Sequence, residues 1–392
     1  MKILFTGGGT GGHVIPIIAI TREIKKIYEK KNLEFFFIGP KNEFDSAMLV
    51  GEGIRIKNVS AGKIRRYFSL GALIQNFIDI FVRIPVGILQ SFFYIFFLSP
   101  DLIFSKGGYG SIPGVIASKL LYVPIFLHES DIVPGAANRL LSSFALEIFA
   151  SFPKTEYFSF KKIILVGNPT RKELLGGSLK EAKKLFKLGF QKTAEGEEAE
   201  ENSSDQPLLK PVILIMGGSQ GAQRVNDEIL EALPQLLENF ELIHQCGENN
   251  YQVIKGETES IINDDLKPFY HLYPYMNENE LRLAYTAADL IVSRAGSGTI
   301  FEIAAAAKPS ILIPLPESAQ NHQVKNAYAY QEAGACLVIE ENNFSSNFFL
   351  ERLKSLFADP ERSKEMSKKA REFSKPEAGW IIAHYLVEYL TK

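Results

Sequence analysis

The stretch Lys2-Ile3-Leu4-Phe5-Thr6-Gly7-Gly8-Gly9-Thr10-Gly11-Gly12-His13 decides the architecture. A short apolar run breaks into five glycines, and a helix-period segment follows at once. Over residues 16–31, Ile17, Ile20, Ile24 and Ile27 fall on one helical face, with Pro16 near the first turn. Strand, glycine turn and helix in that order expose main-chain amides, because glycine removes the Cβ and tolerates positive φ. The helix dipole adds a preference for negative charge at the same point.

Outward from this stretch the device recurs. Met216-Gly217-Gly218-Ser219-Gln220-Gly221-Ala222 repeats it in the second half, and Gly107-Gly108-Tyr109-Gly110-Ser111 follows another apolar run. Strands are predicted at 3–6, 35–38, 102–105, 125–128 and 148–150, and again at 212–216, 242–245, 290–293, 311–313 and 337–339, with a helix over 222–239. Alternating strands and helices predict an α/β chain of two doubly wound, Rossmann-like domains facing across a cleft. In such sheets ligands sit beyond the carboxyl ends of the strands. Tight turns without a ligand would also place glycines here.

The predicted domains are 1–166 and 167–375, hinged at Val166-Gly167-Asn168-Pro169, with a final helix over 377–390 able to pack back across the hinge. Residues 193–206 carry six acids and no base and read as a solvated, mobile insertion.

Composition narrows the function. At 392 residues the chain exceeds one ordinary core, and 46% apolar residues with a formal charge of −2 fit a folded protein without a nucleic-acid partner. Cys246 and Cys336 stand alone, which argues against a disulfide framework or a zinc site. The apolar run at the N-terminus is too short for a signal-peptide core, so the protein is expected to remain inside the cell. Gly7, Gly9 and Gly12 satisfy the dinucleotide fingerprint, but a nicotinamide site also needs an acid ending the second strand, and none occurs before Glu43. No Asp-x-Asp pair is present to hold a diphosphate-bound cation, so neither metal nor cofactor is expected; amide dipoles and side-chain cations would stabilise a departing diphosphate.

Four blocks carry a family resemblance that runs from the first strand to the last helix. They are Gly8-Gly9-Thr10-Gly11-Gly12-His13; His128-Glu129 through Asn138; Gly167-Asn168-Pro169-Thr170-Arg171 with Gly217-Gly218-Ser219-Gln220-Gly221-Ala222; and Ser293-Arg294-Ala295-Gly296-Ser297-Gly298-Thr299 through Glu302-Ile303-Ala304-Ala305-Ala306. Together they resemble the lipid II-forming N-acetylglucosaminyltransferases of peptidoglycan synthesis, enzymes of the GT-B fold. The resemblance implies transfer of N-acetylglucosamine from UDP-N-acetylglucosamine to lipid I with inversion, in the service of cell-wall biogenesis, cell shape and division. It further implies that Glu302 accepts the ribose hydroxyls and that Gly296, Ser297, Gly298 and Thr299 lie along the nucleotide. Within Gln320-Asn321-His322-Gln323, it places His322 and Gln323 at the sugar. Arg171, Ser219 and Gln220 would meet the diphosphate, and Met276 stands where the family has an aliphatic residue against uracil. A capping box would equally place a glutamate such as Glu302 near a helix start.

His13, at the mouth of the first turn with Thr10, Gly11 and Gly12, is the general-base candidate; orienting the turn is the alternative role. Glu129 would polarise it or hold the acceptor, together with Asn138. Asp131 departs from the asparagine that the family commonly carries two residues after His-Glu, and so alters acceptor contacts or adds a second candidate base.

Residues 65–98 are strongly apolar and aromatic, with Leu70, Leu73, Ile74, Phe77, Ile78, Phe81 and Val82 on one helical face and Arg65, Arg66 and Arg83 flanking it. The run 84–98 contains Pro85 and falls short of the ~20 residues a span requires. A helix pair dipping into an anionic membrane surface is expected, which places the protein peripherally on the cytoplasmic side of the inner membrane, within reach of other cell-wall enzymes. Competing readings are a different lipid glycosyltransferase of the same fold, for instance one acting on diacylglycerol, a nucleotide-binding oxidoreductase, and a noncatalytic regulator.

Overall fold

The computed structural model describes residues 1–8, 11–28, 32–65, 69–153, 157–189, 208–217 and 222–392. Gly9, Thr10, Arg66, Gly218, Ser219, Gln220, Gly221 and the acidic insertion 193–206 lie outside the described residues. The chain forms two compact units, Met1–Arg171 with Lys375–Lys392, and Lys172–Ser374.

The first unit is a seven-stranded parallel sheet of β1 (Lys2–Thr6), β2 (Glu34–Gly39), β3 (Ile54–Asn58), β4 (Leu102–Ser105), β5 (Ile125–Glu129), β6 (Glu147–Ala150) and β7 (Ile163–Leu165), ordered β3-β2-β1-β4-β5-β6-β7. Its central strands are buried on both faces, which is why they read as continuous apolar runs; Phe5 pairs across to Phe37 and Phe104. One face is covered by the helix Val14–Ile27 together with the C-terminal helix Ala378–Thr391, so that Ile17, Ile20 and Ile24 share a core with Ile382, Leu386 and Val387. Tyr385 and Tyr389 stack edge-on against Phe126 in the same layer.

The second unit is a six-stranded parallel sheet of β8 (Val212–Met216), β9 (Glu241–Gln245), β10 (Tyr270–Tyr273), β11 (Leu290–Ser293), β12 (Ser310–Leu312) and β13 (Cys336–Val338), ordered β10-β9-β8-β11-β12-β13. In both sheets the strand order reverses beside the first strand, between β1 and β4 and between β8 and β11. These are the positions where open sheets leave a crevice at their carboxyl ends.

The apolar region differs from the expected helix pair. Leu70–Ile78, a π-helical turn Asp79–Arg83 and Ile84–Leu98 form one unbroken helical run of 29 residues. Pro85 does not end it, because Pro85 sits in the first turn after the π segment, where its missing N–H is tolerated. By length and composition this helix could cross a bilayer, contrary to the reading of a run that is too short. One narrow face, Gly87, Ser91 and Ile95, is buried. A Cβ on Gly87 would collide with the Ser60 carbonyl oxygen and lie 3.1 Å from Pro113. The remainder is bare: Leu70 is 77% and Phe97 78% exposed. Asp79 is buried at the π turn and receives Arg65 and Arg83 at 2.7 Å each. Burial alone would raise its carboxyl, but the two guanidiniums hold it below the usual range.

Candidate active site

At the first switch point three turns meet without side chains between them. A Cβ on Gly39 would stand 2.8 Å, and one on Gly110 2.6 Å, from the Gly7 carbonyl oxygen. Gly107 and Gly108 hold φ of +87° and +78°, a left-handed pair that favours glycine at both positions. Any side chain on Gly108 would strike the Gly8 carbonyl and fall 3.1 Å from His13 Nε2. His13, closing the short helical turn Gly11–His13 with Gly12, is thereby set against the turn that follows β4.

The end of β5 supplies the next residues. His128 is fully buried, its Nε2 3.2 Å from the Gly167 carbonyl. Burial first, and the Lys106 charge second, push its pKa well below 6.5, so it is neutral. Both oxygens of Glu129 are engaged: Oε1 accepts from the Asp131 amide at 3.0 Å, and Oε2 from the Gly135 amide at 3.1 Å and Asn138 Nδ2 at 2.9 Å. Asn138 Nδ2 also donates to the His128 carbonyl at 3.0 Å. Glu129 thus organises the segment 130–138. Burial raises its pKa, and the neighbouring Asp131 charge adds to the shift. Lys106, at the carboxyl end of β4, is 1% exposed, and its Nζ has no hydrogen-bond partner among the described residues. Desolvation brings its pKa down to about 8 against the opposing pull of Glu129 and Asp131. Arg171, buried, closes the first unit.

In the second unit, β11 leads through Arg294, Ala295 and Gly296 into the helix Ser297–Ala305. Gly296 is its N-cap and offers no side-chain cap, so the first turn of this helix presents main-chain N–H groups of the kind that receive an anion. Thr299 and Glu302, three apart, share one face of this helix. Glu302 lies a turn beyond the capping position, which removes the capping box as its explanation.

The turn before the helix His322–Glu332 places Gln320 and Asn321 in succession at φ of +59° and +56°. Two left-handed non-glycine residues in series carry strain that the surrounding contacts must hold. Those contacts include His322 Nδ1 against the Ala319 carbonyl at 2.7 Å and Gln323, whose Oε1 accepts from the Leu315 amide at 3.1 Å and whose own amide donates to Ser318 Oγ. Gln323 keeps its NH2 as the group that can donate to a hydroxyl.

Met276 is 2% exposed and belongs to the core with Met216, Leu281 and Ile300. Just after it, Asn277 and Glu280 form a capping box that closes the start of the helix Glu278–Ala287.

Two elements escaped the sequence reading. Lys106 is one; its only mark is a cation between Ser105 and Gly107 at the end of an apolar strand. The other is Glu341, whose buried carboxylate pairs with Arg294 and, at 2.7 Å, with Arg224, tying the β11 loop to the helix Gln223–Asn239. Nothing near Glu341 in the sequence signals this, because its partners lie far away along the chain. Among the described residues no three His, Cys, Asp or Glu side chains gather as metal ligands.

Residues 3–150 match the glycosyltransferase family 28 N-terminal domain and residues 212–379 the glycosyltransferase family 28 C-terminal domain. The chain is 35% identical over 363 residues to the UDP-N-acetylglucosamine–N-acetylmuramyl-(pentapeptide) pyrophosphoryl-undecaprenol N-acetylglucosamine transferase of Clostridium tetani, covering 92% of this chain and 91% of that one. Among solved structures it resembles Acinetobacter baumannii MurG, with a TM-score of 0.70 at 24% identity and 99% of each chain covered. It also resembles S. aureus MnaA in a co-structure with UDP, with a TM-score of 0.66 at 16% identity, covering 100% of this chain and 97% of that one.

Proposed function

The chain belongs to glycosyltransferase family 28, and from that premise we propose that it transfers N-acetylglucosamine from UDP-N-acetylglucosamine to the muramoyl 4-hydroxyl of undecaprenyl-diphospho-muramoylpentapeptide, lipid I. The product is lipid II, and UDP is released. The observation that carries this reading is the near full-length identity to a transferase of that name. It is an inverting hexosyltransferase with the GT-B fold.

In the second unit the first-turn amides of Ser297–Ala305 receive the diphosphate, helped by Ser297 and Thr299, while Glu302 accepts the ribose hydroxyls. Ser219 and Gln220, from the glycine turn after β8, add polar side chains to the same anion. Gln323 and His322 hold the sugar. In the first unit the turns of Gly12 and Gly107–Gly108 form the acceptor floor, with Asn138 and Asp131 on the segment that Glu129 fixes. His13 takes the proton as the acceptor oxygen bonds to the anomeric carbon. The bond from that carbon to the diphosphate oxygen breaks, its electron pair leaving with UDP.

The bare aromatic helix Leu70–Leu98 lies in the cytoplasmic leaflet of the inner membrane, where a lipid-linked acceptor is found, and other cell-wall enzymes act on the same surface. Its buried face and the Asp79 ion pairs suit a helix resting on the unit with its outer side in lipid, rather than one spanning the bilayer. Arg65, Arg83 and Lys63 supply cations for anionic headgroups.

Purified chain given UDP-N-acetylglucosamine and lipid I should release UDP, and His13→Ala and Glu302→Ala should abolish release while melting as wild type. Turnover of diacylglycerol in place of lipid I would overturn the assignment.

A further inference from the structure

Lys106 is costly to bury, since an ammonium without a hydrogen-bond acceptor among the described residues forfeits its hydration and gains nothing direct in return. An apolar side chain would fill the same space without that penalty. Gly7 keeps the space open; a Cβ there would lie 3.3 Å from the Lys106 Cβ. What offsets the penalty is charge. Glu129 and Asp131 act on Lys106 from the end of β5 and the segment after it. The two amides and the Asn138 carboxamide that bind Glu129 are neutral and leave its charge standing. His128, the other titratable group acting with Lys106, is buried and neutral, and His13 acts on His128 in turn. Lys106 is therefore the cation that these groups face.

We infer that Lys106 is a positioning residue of the acceptor half: its buried ammonium balances the Glu129 and Asp131 carboxylates and so holds the segment 130–138, with Asn138, in its working shape. This rests on the lipid I transferase reading given above. Without the ammonium, the buried Glu129 and the half-buried Asp131 lose the cation that offsets their like charges, and either one takes a proton or the segment opens. With Asp131 neutral as well, only Glu129 remains, and its three donors suffice to hold it.

The experiment compares intact wild type, Lys106→Met, Asp131→Asn and the double variant. It measures amide hydrogen exchange over 130–138, steady-state kinetics with lipid I and UDP-N-acetylglucosamine, and the pH profile. Lys106→Met should lose exchange protection in 130–138 and fall roughly tenfold to a hundredfold in kcat/KM for lipid I, the scale of a misplaced site group, with the KM for UDP-N-acetylglucosamine unchanged. The double variant should regain protection over 130–138. A role in packing alone would not respond to removal of a distant charge. Wild-type turnover should decline above pH about 8, as Lys106 loses its proton, and Lys106→Met should lack that limb. If Lys106→Met does not fold but the double variant does, the inference stands. Wild-type protection in Lys106→Met, or a double variant no better protected than the single, overturns it. Should wild type fail to use lipid I at all, the transferase reading falls while the exchange comparison still decides the part played by Lys106.

Discussion

A Cβ on Gly107 would lie 2.7 Å from both polar atoms of the Asn138 carboxamide. The turn after β4 and the segment after β5 are thus fitted to one another at atomic contact. Gly107→Ala would meet both the positive φ and this contact, and would force Asn138 off the His128 carbonyl and Glu129. We expect a loss of about 1–3 kcal/mol in stability. We also expect a fall in kcat/KM for lipid I of more than tenfold, with UDP-N-acetylglucosamine binding intact. Thermal melts and UDP-release kinetics check this; wild-type kinetics in the alanine variant would refute the fit.

Glu341 is expected to govern the donor side. Removing its carboxylate leaves Arg224 and Arg294 facing one another without the charge that joins them. Glu341→Ala should weaken UDP binding by about tenfold or more, since breaking a partly buried pair costs on the order of 1–3 kcal/mol, and Glu341→Gln should fall between. Calorimetric titration with UDP measures it. Equal affinity in all three proteins would leave Glu341 without a role at the site.

Acid should destabilise the second unit through His244. It is fully buried, with Tyr270 Oη at 2.8 Å and Asn226 Oδ1 at 3.1 Å, and desolvation brings its pKa from 6.5 to about 3. Below pH 6.5 the unfolded chain binds a proton that the folded chain refuses. The stabilisation is therefore complete above 6.5 and is lost as pH falls toward 3, at about 1.4 kcal/mol per pH unit. His128 acts in the same direction in the first unit. Tm measured at pH 7 and pH 5 should drop, and His244→Gln should reduce the slope; an unchanged slope would exclude His244 as a source.

Membrane attachment should depend on the bare aromatic face. Phe77 and Phe81 are exposed, with ring centroids 4.7 Å apart. Phe77→Ser with Phe81→Ser should reduce sedimentation with phosphatidylglycerol vesicles by well over tenfold, because each buried aromatic contributes on the order of 1.5–3 kcal/mol. The melting temperature should not fall. Undiminished sedimentation would place the lipid contact elsewhere.

The sheets were largely legible, and two of the three missed strands, β3 and β10, share one cause. β3, β7 and β10 are all edge strands. Ile54-Arg55-Ile56-Lys57-Asn58 and Tyr270-His271-Leu272-Tyr273 mix polar with apolar residues because one side meets solvent, so no continuous apolar run announces them. Pro85 misled for a local reason, since a π turn ahead of it frees the position that proline occupies. At the site, the glycine turns and the Thr299–Glu302 spacing could be read directly, because local backbone geometry demands those residue types. The work of Lys106 and Glu341 could not, since it depends on charges brought together from distant segments.

The helix Ala378–Thr391 completes the core of the unit that the first residues begin. A ribosome therefore releases the second unit's sheet with all its strands before the first unit's sheet has its last covering layer. Until translation ends, Ile17, Ile20, Ile24 and Phe126 lack the part of their core that this helix supplies, Ile382, Leu386, Tyr385 and Tyr389 among it, and a nascent chain stalled before Lys375 carries an apolar face open to chaperones or aggregation. Gene order and assembly order thus differ, and a circular permutant that moves 375–392 ahead of Met1 would bring them into line.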